Sequence, residues 1–416
     1  MKKHLSLLLR ILFAAAGVAY IAVTLTWTDH IVVPAQVKLP SGVVTEKPTA
    51  FKVIEGDLID TEGALVIRLD EQTTMPIERA QLGQGIEDYR SKPGVNTTLA
   101  HANFSLLLLG LLIIGPIYIV QSYRWWLLMR ARGLDCTLGK SFRLTMVGSF
   151  FNYCMPGTTG GDLVKAYYAA KNSDRRADAV MTVIFDRITG LLGLVILGGV
   201  AGIIMVLSMN MGWIDLSADQ SKVVRTITSL IWVGMLAATI GTLIYFSTRV
   251  RRKLGITPER IGKLPGAKML LKIDEAALAY KKHIGVVFGA VALSLPVHLA
   301  LAGATAMAGY ALGMKTPFGL LLTVVPVLFL AAAVPLTYQG LGVMEGLGKA
   351  LIVGVTATEN QLIGMLLMIR FYQIFYSLLG SLFLLKGDIH MHPEREAAAP
   401  GSETSETPIS ANAAAV

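Results

Sequence analysis

Hydrophobic positions in this chain come in long unbroken runs, not in the alternation of a strand or the one-sided stripe of a soluble helix. Six runs cover residues 5–27, 104–123, 179–207, 224–246, 284–307 and 362–385. A helix needs about 20 apolar residues to cross the hydrocarbon core of a bilayer, and each run is of that order. The pattern predicts an all-α polytopic membrane protein. Two further apolar stretches behave differently. Residues 144–155 run into Pro156-Gly-Thr-Thr-Gly160-Gly161, and the run that starts at Phe318 stops at Pro335-Leu-Thr-Tyr-Gln-Gly340-Leu-Gly342 before a second apolar segment. Both are interrupted by residues that turn the chain.

Composition agrees. Of the 416 residues, 53% are hydrophobic and 16% are charged. A water-soluble domain would have to expose much of that apolar surface, whereas lipid solvates it. Positive charge collects on the cytoplasmic side of a membrane protein. Residues 249–282 hold ten Lys or Arg against three acids, 124–143 hold five against one, and 163–178 hold four against two. All three are assigned to the cytoplasm. Residues 28–100 hold seven basic and eleven acidic residues and are assigned outside, as is 209–222. The net charge of +9 is then a positive-inside bias and not the footprint of a nucleic-acid binder. The expected parts are an uncleaved N-terminal anchor helix at 1–27, a small β-rich extracytoplasmic insertion at 28–100, a transmembrane domain at 101–386 and a disordered tail at 387–416. Both termini face the cytoplasm, and the membrane is the cytoplasmic (inner) one.

This map makes the interrupted segments informative. The stretches on both sides of 142–170 are basic, so both ends of that segment belong inside. A re-entrant hairpin satisfies this, with 144–154 entering and 163–170 returning. Irregular backbone at membrane depth must be covered by protein or water, so the hairpin belongs inside the bundle. The segment 318–355 repeats the pattern from the opposite face. Each hairpin is preceded by one span and followed by another, the arrangement of an inverted-topology repeat.

Charged residues follow the same plan. Asp162 comes just after the first glycine turn, and Arg187 stands 25 residues later in the next span; Glu345 and Arg370 repeat that spacing. Lys165 lies three residues after Asp162, and Lys349 four after Glu345, so each basic residue shares a helical face with its acid. A helix that starts at a glycine turn presents free N–H groups and a positive dipole end. Two such ends with Arg187 and Arg370 would suit a phosphate, while Asp162, Asp186 and Glu345 would keep the empty site near neutrality. A structural alternative stays open: Asp186 and Arg187 could pair with other helices, and glycines such as Gly198 and Gly202 could serve close packing.

The run Asn152-Tyr-Cys-Met-Pro156-Gly-Thr-Thr-Gly160-Gly161-Asp162-Leu-Val-Lys165, with Asp186-Arg187-Ile-Thr-Gly190, resembles the lysylphosphatidylglycerol synthase transmembrane-region family, also called flippase-like. Gly340, Gly342, Glu345 and Arg370 are similar to its second signature. The resemblance covers roughly 104–386 and implies a lipid-translocating module whose substrate-binding residues are those just named. No synthase domain is expected, because the sequence ends soon after its last span. The implied partner is a membrane lipid with a phosphate-bearing head group; a homo-oligomer is compatible with it. No metal, catalytic residue or cofactor is expected, and no nucleotide-binding loop is present.

A rival reading is a lipid-dependent transferase acting on the outer face through Asp29, Asp57 or Asp60; a third is an envelope-lipid assembly factor that transports nothing. In the insertion, 52–57 and 64–70 read as short strands. Trp125 and Trp126 read as interfacial anchors. His298 is expected to bond a carbonyl freed by Pro296. Cys136 and Cys154 form neither a disulfide framework nor a zinc set.

Overall fold

A computed structural model describes residues 25–33, 46–47, 49–55, 65–69, 74–77, 90–154, 160–171, 175–214, 216, 218–247, 271, 274–275, 278–333, 337–353 and 356–385. All but the last three residues of the anchor helix expected at 1–27, the tail and most of the basic stretch 249–282 lie outside them.

Among its described residues, the insertion at 28–100 is a five-stranded antiparallel sheet of β1 (His30–Val33), β2 (Thr49–Glu55), β3 (Leu65–Arg68), β4 (Thr74–Ile77) and β5 (Arg90–Lys92), in the order β4-β3-β2-β1-β5. Alternation sets its buried face: Ile31, Phe51, Val53, Leu65 and Ile67 point inward. A short helix α1 (Val95–Ala100) leads to the membrane domain. Polar contacts clamp the junction. The buried Asp29 accepts from the Gly94 N–H at 2.7 Å, and Asn360 exchanges bonds with Thr26 and donates to the Pro93 carbonyl at 2.8 Å.

The membrane domain continues as α2 (Phe104–Ala131), α3 (Leu138–Cys154), α4 (Gly160–Lys171), α5 (Arg176–Asn210), α6 (Ala218–Phe246), α7 (Ile284–Ala311), α8 (Phe318–Ala333), α9 (Val343–Ile352) and α10 (Glu359–Leu385). Among the described residues, four helices are long and apolar enough to cross a membrane: Phe104–Ala131, Arg176–Asn210, Leu278–Ala311 and Glu359–Leu384. The chain is a multi-pass membrane protein. Its exterior carries exposed apolar side chains such as Leu108 and Leu112 on α2 and Leu230 and Val233 on α6, as a lipid-solvated surface does.

Two halves share one plan. Phe104 and Ile284 open 28-residue helices, Pro116 and Pro296 interrupt them, and Ala131 and Ala311 end them; each pair stands 180 positions apart. Both helices stop in the same way. Gly133 (φ 67°) and Gly313 (φ 77°) take the left-handed conformation, and the next residue's N–H bonds back to Met129 or Gly309. The packing respects the same exchange: α3 lies on α10 as α8 lies on α5, and α4 on α5 as α9 on α10.

Close approach is bought by small residues. The buried face of α7 is rich in alanine, including Ala302, Ala304 and Ala308, and there α2 comes near enough that a Cβ on Gly110 would lie 3.2 Å from the Ala304 carbonyl oxygen. Gly198 packs against Pro326 and Gly202 against Thr228. A Cβ on Gly380 would collide with the backbone carbonyl of Met146, where α10 crosses α3. Substitution Gly380→Ala should therefore destabilise the purified protein by ~1–3 kcal/mol. Gly346→Ala, which meets nothing within 4 Å, should leave the unfolding midpoint unchanged or slightly raised; denaturation in detergent distinguishes the two.

Candidate functional site

Helices α3 and α4 run back to back because glycines face each other. A side chain on Gly161 would overlap the Gly148 carbonyl, so only glycine fits there. Asn152 completes the contact, its Oδ1 accepting the Gly161 N–H at 2.8 Å. Asn152, Gly160 and Gly161 therefore shape the hairpin from within. Pro156 lies outside the described residues. Asp162 sits in the first turn of α4 and pairs with Arg187 of α5.

The second turn needs unusual backbone. Gln339 (φ 51°), Gly340 (φ 69°) and Gly342 (φ 82°) are all left-handed. The Gly342 N–H donates to Glu345 Oε2 at 2.8 Å, so Glu345 caps the start of α9 with one oxygen. Its other oxygen accepts from Arg370 Nη1 of α10 at 2.6 Å. The acid and the arginine that stand 25 residues apart in each half are thus ion-paired in each half.

The lysines behave differently from the sequence expectation. Lys165 is buried and reaches Asp186 Oδ2 at 3.3 Å, not Asp162, with its ammonium 4.2 Å from the centre of the Trp125 ring. Asp186 Oδ1 accepts from Arg124 Nε at 2.8 Å, and Arg124 Nη1 donates to Ser294 at 2.7 Å. Lys349 pairs with Glu359 at 2.5 Å, not with Glu345, because Arg370 already occupies that carboxylate. Trp125 is fully buried beneath Lys165 and is no interfacial anchor; Trp126 is half-buried, and its indole donates to the Cys136 carbonyl. His298 does not bond a carbonyl freed by Pro296. Its Nε2 donates to Gly190 of α5 at 2.9 Å, leaving Nδ1 buried without a hydrogen-bond partner among the described residues.

These groups surround two adjoining cavities. One, of about 330 Å³, is lined by Arg124, Lys165, Asp186, Asp162, Arg187 and His298, among others. The second, of about 230 Å³, places Arg187 and Arg370 on one wall system with Gln339. Asn152, Tyr153, Arg187, Ala333 and Gln373 line both. Bonds cross between the halves here: Gln339 donates to the Asn152 carbonyl at 3.1 Å, Tyr153 donates to Gln373 at 2.6 Å, and Ser377 donates to the Ser149 carbonyl at 3.3 Å. Four cations (Arg124, Lys165, Arg187, Arg370) stand against three carboxylates (Asp162, Asp186, Glu345), leaving one formal positive charge in excess.

Residues 93–380 match the profile of the lysylphosphatidylglycerol synthase TM region. The chain belongs to that family. No curated protein matches it. The family segment begins at Pro93, so it contains every residue of the two cavities and none of the five strands. Family membership with four apolar spans makes this an integral membrane protein of lipid-related function.

Sequence reasoning missed Arg124, Ser294, Gln339, Gln373 and Tyr153. Arg124 was counted with the cytoplasmic charges, but α2 continues to Ala131 and buries it two turns from its end. Of the acids expected on the outer face, Asp29 is occupied in joining the sheet to the chain that enters the bundle; Asp57 and Asp60 lie outside the described residues.

Glu345 is 1% exposed, so removing its partner strands a buried carboxylate. Arg370→Gln should cost ~3–5 kcal/mol of stability. The double variant Glu345→Gln/Arg370→Gln should recover most of that loss, and a double-mutant cycle on unfolding midpoints measures it.

Proposed function

We propose that this protein moves an anionic, phosphate-bearing lipid across the cytoplasmic membrane. The head group passes at mid-depth between two re-entrant hairpins, α3–α4 and α8–α9, of an inverted repeat. The observation that carries this reading is the position of Arg187 and Arg370 on one cavity, each delivered by an equivalent helix and each tied to the acid 25 residues before it. A single excess positive charge matches the single negative charge of a phosphodiester. Guanidinium groups bind phosphate oxygens through charge-assisted bonds, and the Nε of Arg370 is buried with no partner among the described residues. Asp162 and Glu345 hold the arginines in place when the lipid is absent. Crossing needs no covalent step, so the protein is read as a transporter and not an enzyme.

The experiment is lipid translocation in reconstituted vesicles, read by the loss of accessible fluorescence from a labelled phosphatidylglycerol. Arg187→Gln and Arg370→Gln should each slow it by roughly tenfold or more, the weight of one charged hydrogen bond. Normal movement in both variants overturns the mechanism. The glutamine double variant at 345 and 370 should regain stability without regaining transport.

The proposed orientation has its own test. Cys136 lies between α2 and α3, on the side proposed as cytoplasmic. Burial raises its thiol above the usual range, more than nearby Lys140 lowers it. A membrane-impermeant maleimide should reach Cys136 only from the cytoplasmic side, slowly at neutral pH and faster as pH rises and the thiolate forms. Labelling from outside would reverse the orientation.

A further inference from the structure

A third cavity belongs to none of the charged machinery. It measures about 570 Å³ and is formed between α2, α3 and α10 by Gly115, Phe142, Met146, Tyr376, Leu382 and their neighbours, with an almost wholly apolar lining. That volume lies in the range of ligand sites, roughly 300–1,000 Å³. Its floor is buried at Tyr118 and Met146, while its rim is exposed at Ile119 (59%) and Leu382 (50%), so it opens sideways from the bundle. Aromatic contacts hold its walls in shape: Tyr118 packs on Tyr376 at 5.5 Å, and Phe142 meets Phe383 edge-on at 5.9 Å. Gly115 leaves room there for Tyr376, whose hydroxyl donates to the Leu111 carbonyl.

Tyr118 joins this crevice to the charged site. It lines both the apolar cavity and the cavity of Arg124, Asp186 and Arg187. Its ring belongs to the crevice wall, and its hydroxyl accepts from Ser149, which lines the polar side. An amphipathic residue at such a seam suits an amphipathic ligand.

Among the described residues, the matching place in the other half is closed by contacts. Positions 180 or 183 residues away from Tyr118, Met146 and Tyr376 are His298, Pro326 and Gly193. There the helices are in contact: Gly193 lies directly against Ser294, and a Cβ on Gly198 would come within 3.2 Å of Pro326. The crevice at α2, α3 and α10 is therefore not repeated at the matching helices, and a shared plan of helices does not force it open.

We propose that the α2–α3–α10 crevice binds an acyl chain of the same lipid whose phosphate sits between Arg187 and Arg370. This deepens the transport reading and rests on it. The crevice spans the middle of α2, the start of α3 and the last turns of α10; the latter two are the ends assigned to the cytoplasmic side, so it would receive the chain of an inner-leaflet lipid while the head enters the polar cavity past Tyr118.

The test uses the full-length protein in nanodiscs with phosphatidylglycerol that carries a diazirine at the middle of one acyl chain. After illumination, adducts are mapped by mass spectrometry. They should concentrate on Phe142, Met146 and residues 379–383. Ile119→Trp and Leu382→Trp, each adding bulk at an exposed rim position, should lower those adducts roughly tenfold and leave adducts on α6 near Leu230 unchanged. Adducts spread evenly over all lipid-facing helices, or unaffected by both rim substitutions, overturn the proposal. Binding of chain-free glycerophosphoglycerol separates this result from the parent reading. If it binds and is lost in Arg187→Gln, while the adducts are diffuse, only the crevice assignment falls. If it does not bind and Arg187→Gln transports normally, the head-group site falls, and with it the link between crevice and site.

Discussion

A charge in the hydrocarbon core must find an opposite charge, and the interior of this protein is arranged around that requirement. Each unpaired ion at the centre of a helix costs about 2.5–3.5 kcal/mol on insertion scales. Seven charged side chains meet here, and every one of their pairings joins two different helices. Arg124 and Lys165 converge on Asp186 from α2 and α4; Asp162 ties α4 to α5; Glu345 ties α9 to α10. The pairs thereby set how each short helix sits against its long neighbour. Buried ion pairs seldom stabilise more than apolar residues of the same volume would. Under the proposed function, the pairs serve what the cavities between them bind.

Glycine supplies the geometry that lets the charges meet. Gly148 against Gly161, and Gly380 against the Met146 carbonyl, bring backbones closer than any side chain allows. The left-handed residues 339, 340 and 342 turn the chain so that Glu345 can use one oxygen on its own helix start and the other on Arg370. Packing and electrostatics are therefore one arrangement: a side chain added at Gly161 would push α4 away from α3 and move Asp162 and Lys165 with it.

The halves share a frame but not a polar interior. The positions matching Arg124, Lys165 and Asp186 in the second half are Ala304, Gly348 and Ile369. The ionic triad is absent there as a set. Losing one member would strand a buried charge, whereas replacing all three with apolar residues leaves none. The cavity beside Arg124 and the crevice beyond Tyr118 are both built around α2 and α3 of the first half, with second-half residues such as His298 and Tyr376 completing their walls, so the site is asymmetric although its two arginine–carboxylate pairs are not.

The sequence by itself determined the membrane character, the places where helices break, and the acid-to-arginine spacing in each half. These are local quantities: run length, turn residues and intervals along one chain. It also indicated two strands, which are β2 and β3 of a five-stranded sheet. It did not reveal which lysine meets which acid, because helical spacing limits the candidates without choosing between a neighbour on the same helix and a carboxylate on the next. Lys165 turned to Asp186, and Lys349 to Glu359, for that reason. Nor could it show that Trp125 and Arg124 are buried, that His298 reaches across to Gly190, or that one crevice stands open while its counterpart is filled. Those outcomes depend on how helices distant in sequence close on one another, and only the tertiary packing decides that.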